Sequence, residues 1–132
     1  MNKTIHVVAA ILENEEGEIL CALRSTQMTL PNLWEFPGGK LNPGETEPIA
    51  LIRELQEELL CEIEVLNHFD RITHEYPTFI INLSSYKCRL ASGLPTPTEH
   101  AKLLWLKREN LFSLNWAPAD IPTIEKLVAE NR

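Results

Sequence analysis

The hydrophobic pattern divides the chain into short strand-like runs around one long helical segment. Residues 4–12 are β-branched and apolar, as in a buried strand. Residues 14–17 form a turn in which Gly17 supplies a permissive backbone, and residues 18–23 pair back as a hairpin strand. A loop over 25–32 carries Pro31 near its end, and 34–36 is a short apolar run broken by Pro37, Gly38 and Gly39. After a second break at Asn42, Pro43 and Gly44, Thr46 is a suitable N-cap, with Glu47 and Pro48 in the first turn of a helix reaching about Leu60. Further strands are expected at 62–69, 71–74, 79–90 and 103–106, with a loop at 93–97. Pro118 and Ala119 open a last helix over 121–130. Strands outnumber helices, so the pattern predicts an α/β fold: one mixed sheet packed between helices, in a single domain over 1–132.

On a wheel of about 100° per residue, with Glu54 at zero, Glu58 falls near +40° and Glu57 near −60°. The three carboxylates share a face. Ala50 lies on that face one turn earlier, where its small side chain leaves room for a ligand. Ile52, Leu55 and Leu59 form the expected core stripe, with Leu51 on its border. The acidic face therefore adjoins the buried face. Like charges at the edge of a core repel one another, and a divalent cation would relieve that. Gly38 and Gly39 permit a backbone turn whose carbonyl would suit a hard cation. Glu45 stands before the helix, where it can orient a ligand or water. Arg53 can hold a carboxylate through paired hydrogen bonds.

The formal net charge of −7 argues against broad nucleic-acid binding, which calls for a basic face. It also means that an anionic substrate would need cations to mediate its contacts. Apolar runs fall well short of the roughly 20 residues of a membrane span, and no secretory signal is evident. Cys21, Cys61 and Cys88 lack metal-ligand or redox spacing and read as reduced thiols, which predicts a cytoplasmic protein.

Gly39, five residues, Glu45, seven residues, and then Arg53-Glu54-Leu55-Gln56-Glu57-Glu58 resembles the Nudix box. The resemblance implies an α/β/α sandwich with the box as loop-helix-loop. It implies Mg²⁺ (or Mn²⁺) held by Glu54, Glu57 and Glu58 with the Gly39 carbonyl, and water attacking a phosphorus. One position departs from the pattern. The box usually has glycine where this chain has Leu60, and a leucine in the left-handed conformation costs about 1 kcal/mol. Either Leu60 takes that conformation or the helix ends differently.

The resemblance extends through the 34–40 and 116–122 segments to the MutT-type branch, and within it is similar to bacterial CTP pyrophosphohydrolases, which also act on oxidised deoxyguanosine triphosphate. It implies conversion of a nucleoside triphosphate to monophosphate and pyrophosphate, by water attack at the β-phosphorus. The base would be Glu54, Glu58 or Glu99, the last on a mobile loop. It places Arg24 and Glu35 near the phosphates and metal, gives Glu99 as a metal ligand or an activator of water, puts Phe36 among the substrate-binding residues, and sets Tyr76, Thr78, Phe79 and Asp120 at the border of the base. His74 and His100 read as surface or hydrogen-bonded side chains, and the three tryptophans as core.

Asn takes the place of Asp120 in enzymes strict for oxidised guanine. An amide both donates and accepts, whereas an ionised Asp120 accepts only, which favours cytosine. The expected partner is a nucleoside triphosphate, without stable nucleic-acid or membrane association, and the chain is expected to be a monomer or dimer. A nucleotide-sensing module with the same fold but no chemistry would be expected to lose box glutamates, and this chain keeps them all.

Overall fold

The computed structural model describes residues 2–130; Met1, Asn131 and Arg132, the ends of the expected 1–132 domain, lie outside the described residues. Among the described residues, seven strands and two α-helices follow in the order β1 (Lys3–Leu12), β2 (Glu18–Leu23), β3 (Trp34–Glu35), β4 (Gly38–Lys40), α1 (Glu47–Leu59), β5 (Glu62–Glu75), β6 (Phe79–Ser92), β7 (Lys102–Lys107) and α2 (Ile121–Ala129). Short 3-10 helices at Arg108–Ser113 and Pro118–Asp120 lie between β7 and α2.

The strands form two sheets. One has the order β4-β1-β6-β5, mixed because β1 runs parallel to β6, and the other has the order β3-β2-β7. The fully buried end of β1 shows how the layers stack. Val8, Ala10 and Leu12 pack with Ala50, Leu51, Leu55 and Leu59 of α1, whereas Ala9 and Ile11 pack with Ile124 and Leu127 of α2. Alternate side chains of a strand point to opposite faces, so β1 is the middle layer of an α/β/α sandwich, as expected.

Helix α1 starts where Thr46 caps the Ile49 amide. Its first turn is tied to the sheet through Glu47, which accepts from Arg71, Ser84 and Tyr86. These bonds outweigh partial burial and hold its carboxyl down at about 2. At the other end Leu60 adopts φ 56° and ψ 37°, the left-handed conformation, with its amide bonded to the Gln56 carbonyl. The box glycine is thus replaced without a change in how the helix ends.

Three expectations are corrected. Leu51 is fully buried, whereas Ile52 is 41% exposed, so the core stripe is Leu51, Leu55 and Leu59, with Ile52 outside it. Ala50 is buried against the sheet and gives no space to a ligand. The strands expected at 62–69 and 71–74 are one strand, β5, with a register shift between His68 and Asp70 where the reading broke it. Among the described residues, no helix is long and apolar enough to cross a membrane.

Candidate active site

The site forms where β4 brings its glycines beside α1. Gly38 and Gly39 pair with Ala9 and Val8 in the sheet, and neither has a positive φ, so they form a strand and not the expected turn. What they need is space. A Cβ on Gly38 would stand 1.9 Å from the Val8 carbonyl oxygen, and one on Gly39 would stand 2.3 Å from the Glu54 carboxyl carbon. The Glu54 carboxylate therefore rests directly on the Gly39 backbone.

Arg53 organises the acidic cluster. Its Nε and Nη2 donate to the two oxygens of Glu45 at 2.7 and 2.9 Å, its Nη1 reaches Glu54 and Glu57 at 3.2 and 3.1 Å, and Nη2 also meets the Lys40 carbonyl at 3.0 Å. Glu45 is pulled below the usual carboxylate range by these bonds and by the Asn42 amide. The expected carboxylate triad divides. Glu54 and Glu58 line the cavity, whereas the Glu57 side chain is 60% exposed and turned to Arg53. Burial raises Glu54 above its ordinary value despite Arg53, and pushes Glu58 up to about 7, helped by Glu54, Glu35 and Glu99 and opposed by His100. One Glu58 oxygen, Oε1, is buried without a hydrogen-bond partner.

Among the described residues, no three His, Cys, Asp or Glu side chains are gathered as a metal-holding group. The donors that do face the cavity nevertheless suit a hard divalent ion. They are carboxylate oxygens, one of them orphaned, held against backbone with no side chain in the way.

The cavity above them has a volume of about 540 Å³, enough for a nucleotide-sized ligand. In its wall, Arg24 donates to Glu35 at 2.7 Å and is braced by the Thr29 carbonyl and hydroxyl. Phe36, Tyr76, Phe79, Leu83 and Asp120 also line the cavity. Tyr76 and Phe79 stack at 4.9 Å, and Phe36 packs on Trp116 at the same distance. Trp116 is a core residue, with its indole nitrogen bonded to the Leu111 carbonyl. Thr78, expected near the base, is exposed and does not line the cavity; neither does Glu99, exposed on its loop.

Asp120 is buried, and burial, reinforced by the charge of Glu35, pushes its carboxyl well above the ordinary range against the pull of the Phe36 amide and Arg24. The neutral acid both donates and accepts. An Asp120 held in that form would suit oxidised guanine as well as cytosine. Of the two expectations for His100, surface or hydrogen-bonded, the second holds. The structure buries it against Glu35, at 2.8 Å. Its position directly after Glu99 was the one available hint.

Residues 7–126 match the family model described as NUDIX domain. The chain is 40% identical over 127 residues to the CTP pyrophosphohydrolase of Escherichia coli (strain K12), covering 96% of this chain and 93% of that protein. It is 32% identical over 125 residues to the 8-oxo-dGTP diphosphatase of the same strain, covering 95% of this chain and 97% of that one. The solution NMR structure of a MutT protein, family Nudix hydrolase, from methicillin-resistant Staphylococcus aureus 252 matches with a TM-score of 0.80 at 49% identity, covering 99% of this chain and 100% of that chain.

Proposed function

The chain belongs to the Nudix family of hydrolases, and on that premise we propose that it is a magnesium-dependent nucleoside triphosphate pyrophosphohydrolase that cleaves CTP-type or oxidised guanine nucleotides to monophosphate and pyrophosphate. The observation that carries the reading is the continuity of the cavity. Two partly buried glutamates, Glu54 and Glu58, line the same cavity as an arginine–glutamate pair, three aromatic rings and Asp120. Those parts match the needs of metal, phosphates and base in turn.

Glu54 and Glu58, with the Gly39 carbonyl and with Glu57 once it is released from Arg53, would hold the ion. When bound, magnesium supplies positive charge to the triphosphate and makes an attacking water more acidic. The protein's own groups do the rest. Arg53 fixes Glu45 and steadies Glu54 from its outer side. Arg24, held by Thr29 and Glu35, offers a guanidinium edge to the phosphates. Tyr76, Phe79 and Phe36 provide apolar surface for a flat base, and Asp120 offers it a donor and an acceptor.

The test is a panel of CTP, dCTP, 5-methyl-dCTP, 8-oxo-dGTP and the ordinary triphosphates, each incubated with the protein and Mg²⁺ and assayed for pyrophosphate. Release that EDTA abolishes is expected, with the fastest turnover on a cytosine or oxidised guanine nucleotide. Absence of pyrophosphate from every member of the panel would overturn the proposal in favour of a nucleotide-sensing module.

A further inference from the structure

His100 follows Glu99 on the loop between β6 and β7. Residues 96–99 are exposed, yet the His100 side chain is completely enclosed, at 0% exposure. A ring with two polar nitrogens is costly to bury unless those nitrogens are bonded. Nε2 donates to Glu35 Oε2 at 2.8 Å, while Nδ1 is enclosed without a partner. An apolar side chain of similar size would fill the space without that cost, so packing alone does not account for a histidine.

The bond to Glu35 joins two otherwise separate parts of the site. Glu35 lines the cavity, and its other oxygen accepts from Arg24. Its carboxylate is therefore gripped from both sides, by a guanidinium beside the β2–β3 loop and by an imidazole from the β6–β7 loop. The second loop is also stitched to the catalytic helix and to β2. The Thr96 amide bonds the Leu59 carbonyl at 2.8 Å, and the Thr98 amide and hydroxyl both bond the Glu58 carbonyl, at 3.2 and 2.9 Å. The Ala101 amide bonds the Leu23 carbonyl at 2.9 Å. Glu99 thus sits between a tie to α1 and a tie to the cavity wall.

We propose that His100 is a positioning residue that docks the Glu99 loop onto the nucleotide cavity through Glu35, so that the orientation of Glu35 and the placement of Glu99 depend on one hydrogen bond. This rests on the pyrophosphohydrolase reading for its consequence in catalysis, but the docking itself is a property of the metal-free protein.

The test is amide hydrogen exchange at Thr96, Thr98 and Ala101 in EDTA, with kcat/KM measured in parallel. Glu35→Ala lies in β3, far along the chain from those amides, yet it should raise their exchange roughly tenfold or more, the size expected for losing a hydrogen bond to an ionised acceptor. His100→Phe should do the same, the double variant should be no worse than either single one, and His100→Gln, which keeps an N–H donor, should restore exchange toward wild type. Each disrupting variant should lower kcat/KM by about 10- to 100-fold. Unchanged exchange in Glu35→Ala, additive effects in the double variant, or a Gln variant as loose as the Phe variant would overturn the proposal. If His100→Phe does not fold, Glu35→Ala and His100→Gln decide the matter. A wild-type protein that releases no pyrophosphate would sink the functional reading while leaving the exchange result intact.

Discussion

Alanine placed at Gly38 and at Gly39 should give opposite phenotypes, although the positions are adjacent and both belong to β4. At Gly38 the new Cβ would lie 1.9 Å from the Val8 carbonyl oxygen and 2.8 Å from the Ala9 Cα, and ordinary contact starts at 3.4 Å. The obstacle is backbone, so β4 must separate from β1 by about 1.5 Å, breaking the pairing of Val7, Val8 and Ala9 with Lys40, Gly39 and Gly38. Overpacking of this kind costs about 1–3 kcal/mol, or roughly 5–15 °C in Tm for a chain of this size. At Gly39 the obstacle is the Glu54 carboxylate, the end of a flexible side chain, which must retreat by about 1 Å. That move costs little stability, because it brings a desolvated carboxylate toward water. A misplacement of about 1 Å in a working group nevertheless lowers the rate on the order of 100-fold. Thermal melts in EDTA and kcat for pyrophosphate release with Mg²⁺ separate the two effects. A Gly39→Ala protein with wild-type kcat, or a Gly38→Ala protein with wild-type Tm, would refute the steric account.

Glu54→Gln and Glu58→Gln should each lower kcat by about 100-fold or more while the fold persists, as circular dichroism would report. The raised value of Glu58, about 7 against an ordinary 4.5, has a definite sign. The fold favours the neutral acid, so this stabilising contribution is full below about pH 4.5 and is lost as pH rises through about 7. In EDTA, the Tm of Glu58→Gln relative to wild type should therefore climb between pH 5 and 8; a constant difference would contradict the burial argument. Because Asp120 is held toward its neutral form, the ratio of kcat/KM for 8-oxo-dGTP over CTP should fall as pH rises and Asp120 ionises, and Asp120→Asn should remove that dependence. A ratio that responds to pH identically in both proteins would exclude Asp120 as the group read by the base.

Much of the molecule was legible because its determinants are local. Thr46 and Pro48 mark the start of α1, the spacing of Glu54, Glu57 and Glu58 puts them on neighbouring sides of one helix, and the apolar run of β1 declares a strand, buried from Val8 onward. Helical and strand periods are geometric constants of the backbone, so the order of elements and the family box could be read without knowing what each element touches. Other features depended on contacts between distant segments. The wheel could not say where the sheet lay, so it exchanged the roles of Leu51 and Ile52. The glycines are required by Val8 and by Glu54, partners that no turn rule would name. Glu57 turns to Arg53 and out of the cavity lining, burial and the charge of Glu35 raise the Asp120 carboxyl, and His100 is enclosed where the β6–β7 loop meets Glu35. The sequence by itself determined which chemical groups this protein owns and along which helix or strand they repeat. Only the tertiary structure decided which of them lose water and which partner each one meets, because desolvation and contact are properties of the packed chain.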